Sequence, residues 1–211
     1  MNLGDKKPEQ IAFNKLTNID KWLMIKLNKV IENTTMHFDN YHYFKAKHEV
    51  DNFFWNTFCD YYLEIVKDRF FNPDNYSKEE IASANWTLYK TLFDIHKLFS
   101  PIMPFITEEI YQLYFKNFED EKSIAFCNWP AEEKIEHENL ESSGDLAVKM
   151  ISAARKYKSE NQMSLKEELA KVTISCTNKE KELIAVVEKD IKATAKITNI
   201  LFKGGDFEIK F

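Results

Sequence analysis

The sequence predicts a mainly α-helical protein, in which an antiparallel helical bundle is followed by a small α+β unit. The 211 residues include only 4 glycines and 5 prolines, so few positions interrupt long helices. Apolar residues recur at the spacing of one helix face through most of residues 17–115, and the period changes to two after residue 170. We therefore expect a bundle over residues 1–118, an acidic linker over 119–141 and the α+β unit over 142–211.

The first two helices are predicted from a start signal and from apolar spacing. Thr17-x-x-Asp20 resembles a capping box, and the helix that follows is expected to end near Phe38. The second helix is long, about residues 42–70. Its buried stripe is predicted to step by three or four residues through Val50, Phe54, Phe58, Tyr61 and Ile65.

Two further helices complete the predicted bundle. Ser77-x-x-Glu80 is a second capping-box sequence and predicts the start of a third helix, which ends before Pro101. Pro104 suits the first turn of a fourth helix over residues 105–115, because its missing N–H costs nothing there. The residues expected to face inward from this fourth helix are Ile106, Ile110 and Leu113.

The C-terminal part contains the predicted strands. Lys171–Thr177 alternates apolar and polar residues, the period of a strand with one buried face. Ile197–Lys203 and Asp206–Phe211 have the same character. Gly204-Gly205 stands between them and predicts a tight hairpin.

Composition excludes several classes of protein. So few glycines leave no GxGxxG and no GxxxxGK[ST], which excludes a Rossmann fingerprint and a P-loop. No run of 18 apolar residues is present, so we expect no membrane span. Cys59, Cys127 and Cys176 are scattered without a CxxC pair, which favours a reducing compartment such as the cytoplasm and no metal site. We predict no catalytic residue, metal or cofactor within this chain.

The charge is unevenly distributed along the chain. The net charge is −5, but residues 144–211 carry 13 lysines and arginines against 10 acidic residues, and residues 119–141 carry 8 acidic residues against 2 lysines. A locally positive face is therefore compatible with the negative total, because the field near a surface depends on the nearby charges. Charge alone does not exclude a nucleic-acid partner.

Binding is better supported than catalysis by the individual residues. At about 100° per residue, Leu63 falls almost opposite the predicted stripe and beside Asn56, Asp60 and Lys67. An apolar side chain next to an amide and a cation is a plausible platform for a nucleotide base. The alternative is that Leu63 packs against another helix, and the geometry by itself favours that alternative.

The two arginines of the chain are also candidates for RNA contacts. Arg69 stands alone, whereas Arg155-Lys156-Tyr157-Lys158 combines three positive charges with one aromatic ring, a composition suited to RNA. A lysine-rich helix end is equally typical of a solvated surface that complements the helix dipole. Without context the second interpretation is the favoured one.

Several motifs in the chain form a recognisable set. Asp20–Leu23 reads D-K-W-L, Phe58–Glu64 reads F-C-D-Y-Y-L-E, Leu98–Tyr111 reads L-F-S-P-I-M-P-F-I-T-E-E-I-Y, and Trp129-Pro130 follows. Together with Arg155–Leu169 they resemble the anticodon-binding region of valyl-tRNA synthetases, which are class I enzymes. The long third motif is shared with the leucyl and isoleucyl enzymes, and F-C-D-x-Y-L-E points to valine. Tyr61 departs from the family's tryptophan.

The resemblance implies that the chain is a C-terminal part of a valine–tRNA ligase. The family's HIGH and KMSKS signatures do not occur in the sequence, so ATP would act in the catalytic domain of the parent enzyme. The implied partners are the anticodon loop of valine tRNA and the rest of the synthetase chain. The family often ends in a coiled-coil arm, from which the predicted strands of residues 170–211 depart.

The resemblance also assigns site residues. It implies that Leu63 lies against the anticodon bases, with Glu64 and Lys67 as secondary contacts. The basic residues expected to assist in binding tRNA are Arg69, Arg155, Lys156 and Lys158. The alternative function is a helical scaffold or protein-interaction module that retains the sequence pattern without binding RNA.

Overall fold

The structure, a computed structural model, describes residues 6–133 and 139–211, and its first part is the predicted bundle. The helices follow one another closely: α1 (Asn18–Asp39), α2 (Tyr43–Asn52), a π-helical segment (Phe53–Tyr62), α3 (Leu63–Phe71), α4 (Lys78–Phe99) and α5 (Pro104–Leu113). The backbone is helical across both ends of the π-helical segment, so α2, this segment and α3 form one continuous rod. The prediction of a long second helix is confirmed.

The second part is the predicted combination of helices and strands. Its elements are α6 (Leu140–Glu160), β1 (Leu169–Cys176), α7 (Asn178–Ala185), α8 (Glu188–Ala195), β2 (Ile197–Gly204) and β3 (Glu208–Lys210). α6 packs against α1 of the bundle on one side and against α7 and α8 on the other. α6 therefore joins the two parts of the molecule, and the predicted fold class is confirmed.

The two predicted capping boxes have different outcomes. At the start of α4, the Ser77 hydroxyl accepts a hydrogen bond from the Glu80 N–H at 3.2 Å, and the Glu80 carboxylate accepts one from the Ser77 N–H at 2.8 Å. At the start of α1, the Thr17 hydroxyl instead donates to the carboxylate of Asp20 at 2.8 Å. Asp20 is fully buried, so its carboxylate belongs to an interior cluster and the expected box does not form.

The π-helical segment changes which residues of the second helix are buried. Its hydrogen bonds join residues five apart, as from the Leu63 N–H to the Phe58 carbonyl, and such turns are wider than those of an α-helix. Phe53 and Phe58, also five residues apart, are buried. Phe54 and Tyr61, which the sequence placed in the buried stripe, are only half-buried. The prediction was wrong at these positions because it assumed a regular 3.6-residue period.

The fourth helix faces the core with residues other than those predicted. Ile106 and Leu113 are 52% and 70% exposed, whereas Thr107 and Tyr111 are buried. The segment that follows the helix sets this orientation, since the Tyr111 hydroxyl donates a hydrogen bond to the Glu121 carbonyl at 2.6 Å. The predicted inward face is therefore wrong for two of its three members, and Ile110 is half-buried.

The sheet has an order that the sequence did not predict. β1 lies in the centre, parallel to β2 on one side and antiparallel to β3 on the other, in the order β2-β1-β3. Gly204-Gly205 is therefore not a hairpin turn, and the chain passes over the end of β1 to reach its other edge. Gly205 has a φ of +149°, a backbone conformation that glycine adopts without strain. β1 takes the centre because Val172 and Ile174 are fully buried.

The described part of the predicted acidic linker, residues 119–141, packs along the bundle. The Trp129 indole donates to the Thr35 hydroxyl at 2.8 Å, and the Ile124 N–H donates to the Glu108 carboxylate at 3.0 Å. Residues 134–138 of the predicted linker lie outside the described residues. Within residues 6–133 and 139–211, no helix has the length and apolar character needed to cross a membrane.

One hydrophobic core extends through both parts of the molecule. α1 and α6 approach each other closely, since a Cβ atom at Gly144 would overlap the Trp22 ring. The Trp22 indole also donates to the Asp145 carboxylate at 2.9 Å. Because the backbone of α6 lies directly on Trp22, the C-terminal part is held in a defined position on the bundle.

Candidate nucleic-acid interface

A groove of about 660 Å³ lies where α3, α6 and α8 meet. Its walls contain more basic side chains than acidic ones. The basic residues are Lys67, Arg155, Lys158, Lys166 and Lys196, and the acidic residues are Asp60, Glu64 and Asp68. Among the described residues, no three His, Cys, Asp or Glu side chains are grouped in a way that would hold a metal ion. The excess of basic side chains on the walls is compatible with an anionic ligand.

Arg155 is held at the rim of the groove by contacts with the π-helical segment. Its guanidinium donates to the Asp60 carbonyl at 2.9 Å and lies 5.3 Å from the centre of the Tyr61 ring. A cation over an aromatic face is attracted by the ring quadrupole. The arginine and the ring are both half-buried, so the pair presents a flat, positively charged surface of the kind on which RNA bases stack.

Glu64 and Lys67 lie on the same wall of the groove and form an ion pair with each other. Leu63 precedes them at the start of α3, and its side chain is half-buried and packs against the hydrophobic core. This packing is the alternative that the geometry by itself favoured, and the contact with anticodon bases stays a prediction. Leu63 contributes to packing, and the residue that follows it, Glu64, borders the groove.

Arg69 does not reach the surface. Its side chain is 1% exposed and forms ion pairs with Asp20 and Asp190, each at 2.9 Å. It also donates to the Thr17 hydroxyl at 3.1 Å. Burial alone would lower the pKa of Arg69, but the charges of Asp20 and Asp190 outweigh it and raise the pKa. The RNA contact expected of Arg69 is replaced by a structural role, because its hydrogen-bonding groups are used inside the protein.

Asp20 is the centre of this buried charge cluster. Besides Arg69 it accepts hydrogen bonds from the hydroxyls of Tyr62, at 2.8 Å, and Ser83. Burial, and the adjacent carboxylate, raise the pKa of Tyr62 well above its usual value, so the ring stays neutral and donates its proton. Asp190 extends the cluster from the bundle into α8. Burial raises the pKa of Asp190 despite the attraction of Arg69.

Lys158 is also directed inward. It is 1% exposed, and its ammonium donates to the carbonyls of Leu165 at 3.1 Å, Glu167 at 2.6 Å and Ala195 at 2.9 Å. Burial lowers the pKa of Lys158. Although it borders the groove, its three protons are used to hold other segments, so it is unavailable to RNA. Lys156, two residues earlier, is exposed and lies 3.9 Å from Glu160.

Comparison with known proteins gives the same family as the sequence motifs. Residues 20–174 match the family described as the anticodon-binding domain of tRNA ligase. The chain belongs to this family. It is similar to the valine–tRNA ligases of Pyrococcus furiosus, Wolbachia pipientis and Haloarcula marismortui, with identities of 33%, 34% and 36% over 211, 192 and 168 residues.

These relatives are much longer than the present chain. The three alignments cover 99%, 90% and 80% of this chain but only 23%, 21% and 17% of the relatives. The chain thus spans about a fifth of the length of the relatives it matches. The family match ends at residue 174, so one wall of the groove, formed by α8, lies outside the part that defines the family.

Lys166 and Lys196 are groove residues that sequence reasoning missed. Both are isolated lysines in a lysine-rich chain, and no local pattern separates them from the others. Asp190 was missed for a related reason, since its partner Arg69 is 121 positions away in the sequence. Asp190 reaches Arg69, and Lys196 reaches the groove, through the packing of α3 against α8. Lys166 reaches the groove through the loop that Lys158 of α6 holds.

Proposed function

We propose that the chain is the anticodon-binding part of a valine–tRNA ligase and that Leu63 and the groove bind the anticodon arm of valine tRNA. The observation that carries this proposal is the juxtaposition of the F-C-D-Y-Y-L-E segment with a cation-lined groove. Asp60 and Glu64 of that segment border the groove, and Lys67 follows one turn later. Leu63 directly precedes Glu64, and Arg155 from α6 lies against Tyr61. Apolar and aromatic surface suits bases, and the surrounding cations suit phosphates.

The proposed division of roles follows from exposure. Lys67 and Lys156 are exposed, so they can leave their partners Glu64 and Glu160 to meet phosphate oxygens. The half-buried Leu63 and Arg155 are less mobile and suit shaped contacts with bases. The charges on Glu64 and Asp60 disfavour phosphate next to these two residues of the groove. We therefore place the RNA backbone along the rim and the unpaired bases toward Leu63.

The proposal also defines what this part does within a parent enzyme. ATP and valine would bind in a catalytic domain supplied by the rest of the synthetase chain. Alone, the present chain is expected to bind tRNA without forming aminoacyl-adenylate. Its place of action would be the cytoplasm, where tRNA is charged for protein synthesis. The chain would thus contribute recognition of tRNA, with the chemistry carried out elsewhere.

A binding titration tests the proposal directly. Valine tRNA and a non-cognate tRNA are titrated against the chain at a fixed salt concentration, since affinities for nucleic acid depend strongly on salt. We expect tighter binding of valine tRNA. Equal, weak binding of both would favour the alternative of a helical scaffold without an RNA partner.

Leu63→Ala locates the contact. Loss of a base contact typically costs about 1–3 kcal/mol of binding, and because Leu63 is half-buried the variant should also lose part of the roughly 2–5 kcal/mol that a buried leucine contributes to stability. Leu63→Met, which conserves volume, is the matched control and should retain both. If Leu63→Ala melts lower but its folded fraction binds valine tRNA like the wild type, Leu63 serves only in packing.

A further inference from the structure

The segment beyond the family match, residues 175–211, forms one wall of the groove. α8 ends at Ala195, and the groove is bordered there by Ala193–Lys196. Lys196 adopts a left-handed backbone conformation with φ of 55°, which ends the helix and turns the chain into β2. The side chain of Lys196 therefore starts at the junction of helix and strand, and its ammonium reaches Asp68 of α3.

Buried cations from the rest of the protein fix α8 at both ends. Near its start, Asp190 is paired with Arg69 of α3 at 2.9 Å. At its end, the Ala195 carbonyl accepts a hydrogen bond from the buried ammonium of Lys158 at 2.9 Å. This second contact satisfies a carbonyl that the end of a helix leaves without a partner. α8 is thus a built part of the groove and is held in place before any ligand arrives.

The exposed charges of this wall are positive. Lys196 is half-exposed and lies 3.3 Å from Asp68, a long contact for an ion pair. Asp68 has other partners, since it accepts hydrogen bonds from Tyr76 and Asn72 at 2.9 Å each. Lys166, in the loop that Lys158 holds through two of its carbonyls, is exposed on the same groove. An arriving phosphate would compete with a single weak ion pair at Lys196.

We propose that Lys196 and Lys166 bind phosphates of the tRNA backbone, so that the C-terminal α+β part completes the RNA-binding groove of the anticodon-binding domain. This inference rests on the proposed function. It adds to that function that RNA binding needs both walls of the groove. The π-helical segment and α3 would contact bases, and Lys166 and Lys196 on the opposite wall would contact phosphates. A strand lying between the two walls would be held by cations on either side.

The salt dependence of binding separates a phosphate contact from a general effect of charge. Each phosphate contact contributes about 0.7–0.9 to the slope of log affinity against log salt. Lys196→Gln and Lys166→Gln should each lower the affinity for valine tRNA about threefold or more at moderate salt and reduce that slope by about this amount. The matched control is Lys203→Gln, an exposed lysine of β2 that does not border the groove.

The outcomes distinguish the two proposals. Wild-type binding of valine tRNA with unchanged slopes in Lys196→Gln and Lys166→Gln would overturn the inference and leave the proposed function standing. An equal loss in Lys203→Gln would also overturn it, because the effect would then be one of net charge. Failure of the wild type to bind would overturn both. Lys196→Asn is a control for backbone strain at the left-handed position, because asparagine tolerates this conformation. Its affinity and salt slope should match those of Lys196→Gln.

Discussion

Two pairs of cations on the same two helices have opposite environments. Arg69 and Lys158 are 1% exposed and make all their contacts inside the protein, whereas Lys67 and Arg155 lie on the rim of the groove. From the sequence, all four are candidates for RNA binding, Lys67 as a secondary contact and the other three as basic residues that assist. The comparison teaches that the number of internal partners, and not the type of residue, decides whether a cation is available to a ligand.

The buried pair stabilises a particular arrangement of helices. Arg69 joins Asp20 of α1 to Asp190 of α8, and Lys158 joins α6 to the end of α8. Removing charges from water is costly, and a buried ion pair often contributes little net stability compared with apolar packing. Once such a cluster is formed, however, the loss of one partner leaves the others buried and unpaired, which is strongly destabilising.

Arg69→Met should have the largest effect. It leaves Asp20 and Asp190 without their cation, so we expect the free energy of unfolding to fall by about 3–5 kcal/mol. The measurement is urea denaturation, with Lys67→Met as the control, for which a change within about 0.5 kcal/mol is expected. If Arg69→Met kept wild-type stability and lost affinity for tRNA, the distinction between the two environments would be wrong.

Lys158→Met should have the next largest effect. The methionine fits the space of the lysine stem but leaves the carbonyls of Leu165, Glu167 and Ala195 without a donor. The cost of an unsatisfied buried polar group is about 1–3 kcal/mol. The neighbouring Lys156→Met is the control and should leave the urea midpoint unchanged. Equal midpoints for the two variants would show that Lys158 is solvated.

Glu141 is an intermediate case and should have the smallest effect. Burial alone would raise its pKa, but hydrogen bonds from Lys26 and Lys29 outweigh that and lower the pKa to about 2. A carboxyl group with a lowered pKa stabilises the fold at neutral pH, and this contribution is lost as the pH falls from about 4.5 toward 2. Because the pair is partly solvated, salt reduces the contribution.

The measurement is the free energy of unfolding as a function of pH. Glu141→Gln should show a flatter curve than the wild type between pH 4.5 and 2, the interval bounded by the usual and lowered pKa values of Glu141. Superimposable slopes in this interval would mean that Lys26 and Lys29 do not hold the carboxylate in solution.

Local signals predicted the parts of the fold that depend on local contacts. The Ser77 and Glu80 capping box forms as expected, and the position of Pro104 gives the start of α5. The sheet order was not predictable from Gly204-Gly205, because the central place of β1 depends on helices that cover it. The motif around Leu63 located one wall of the groove. The opposite wall required the packing of α8, whose contacts with Arg69 and Lys158 join residues far apart in sequence.

The π-helical segment affects how the long second helix would respond to the deletion of a residue. In a regular α-helix, Arg69 would be rotated about 100° away from the direction of Val50, yet both side chains are buried. The wider turns of the π-helical segment between them offset part of this rotation. We therefore expect a one-residue deletion inside Phe53–Tyr62, which these turns can take up by tightening, to lower the free energy of unfolding in urea less than a deletion inside Leu63–Phe71. In Leu63–Phe71 the turns are those of a regular α-helix and cannot tighten further. A deletion before Arg69 in this range would rotate its guanidinium out of the interior.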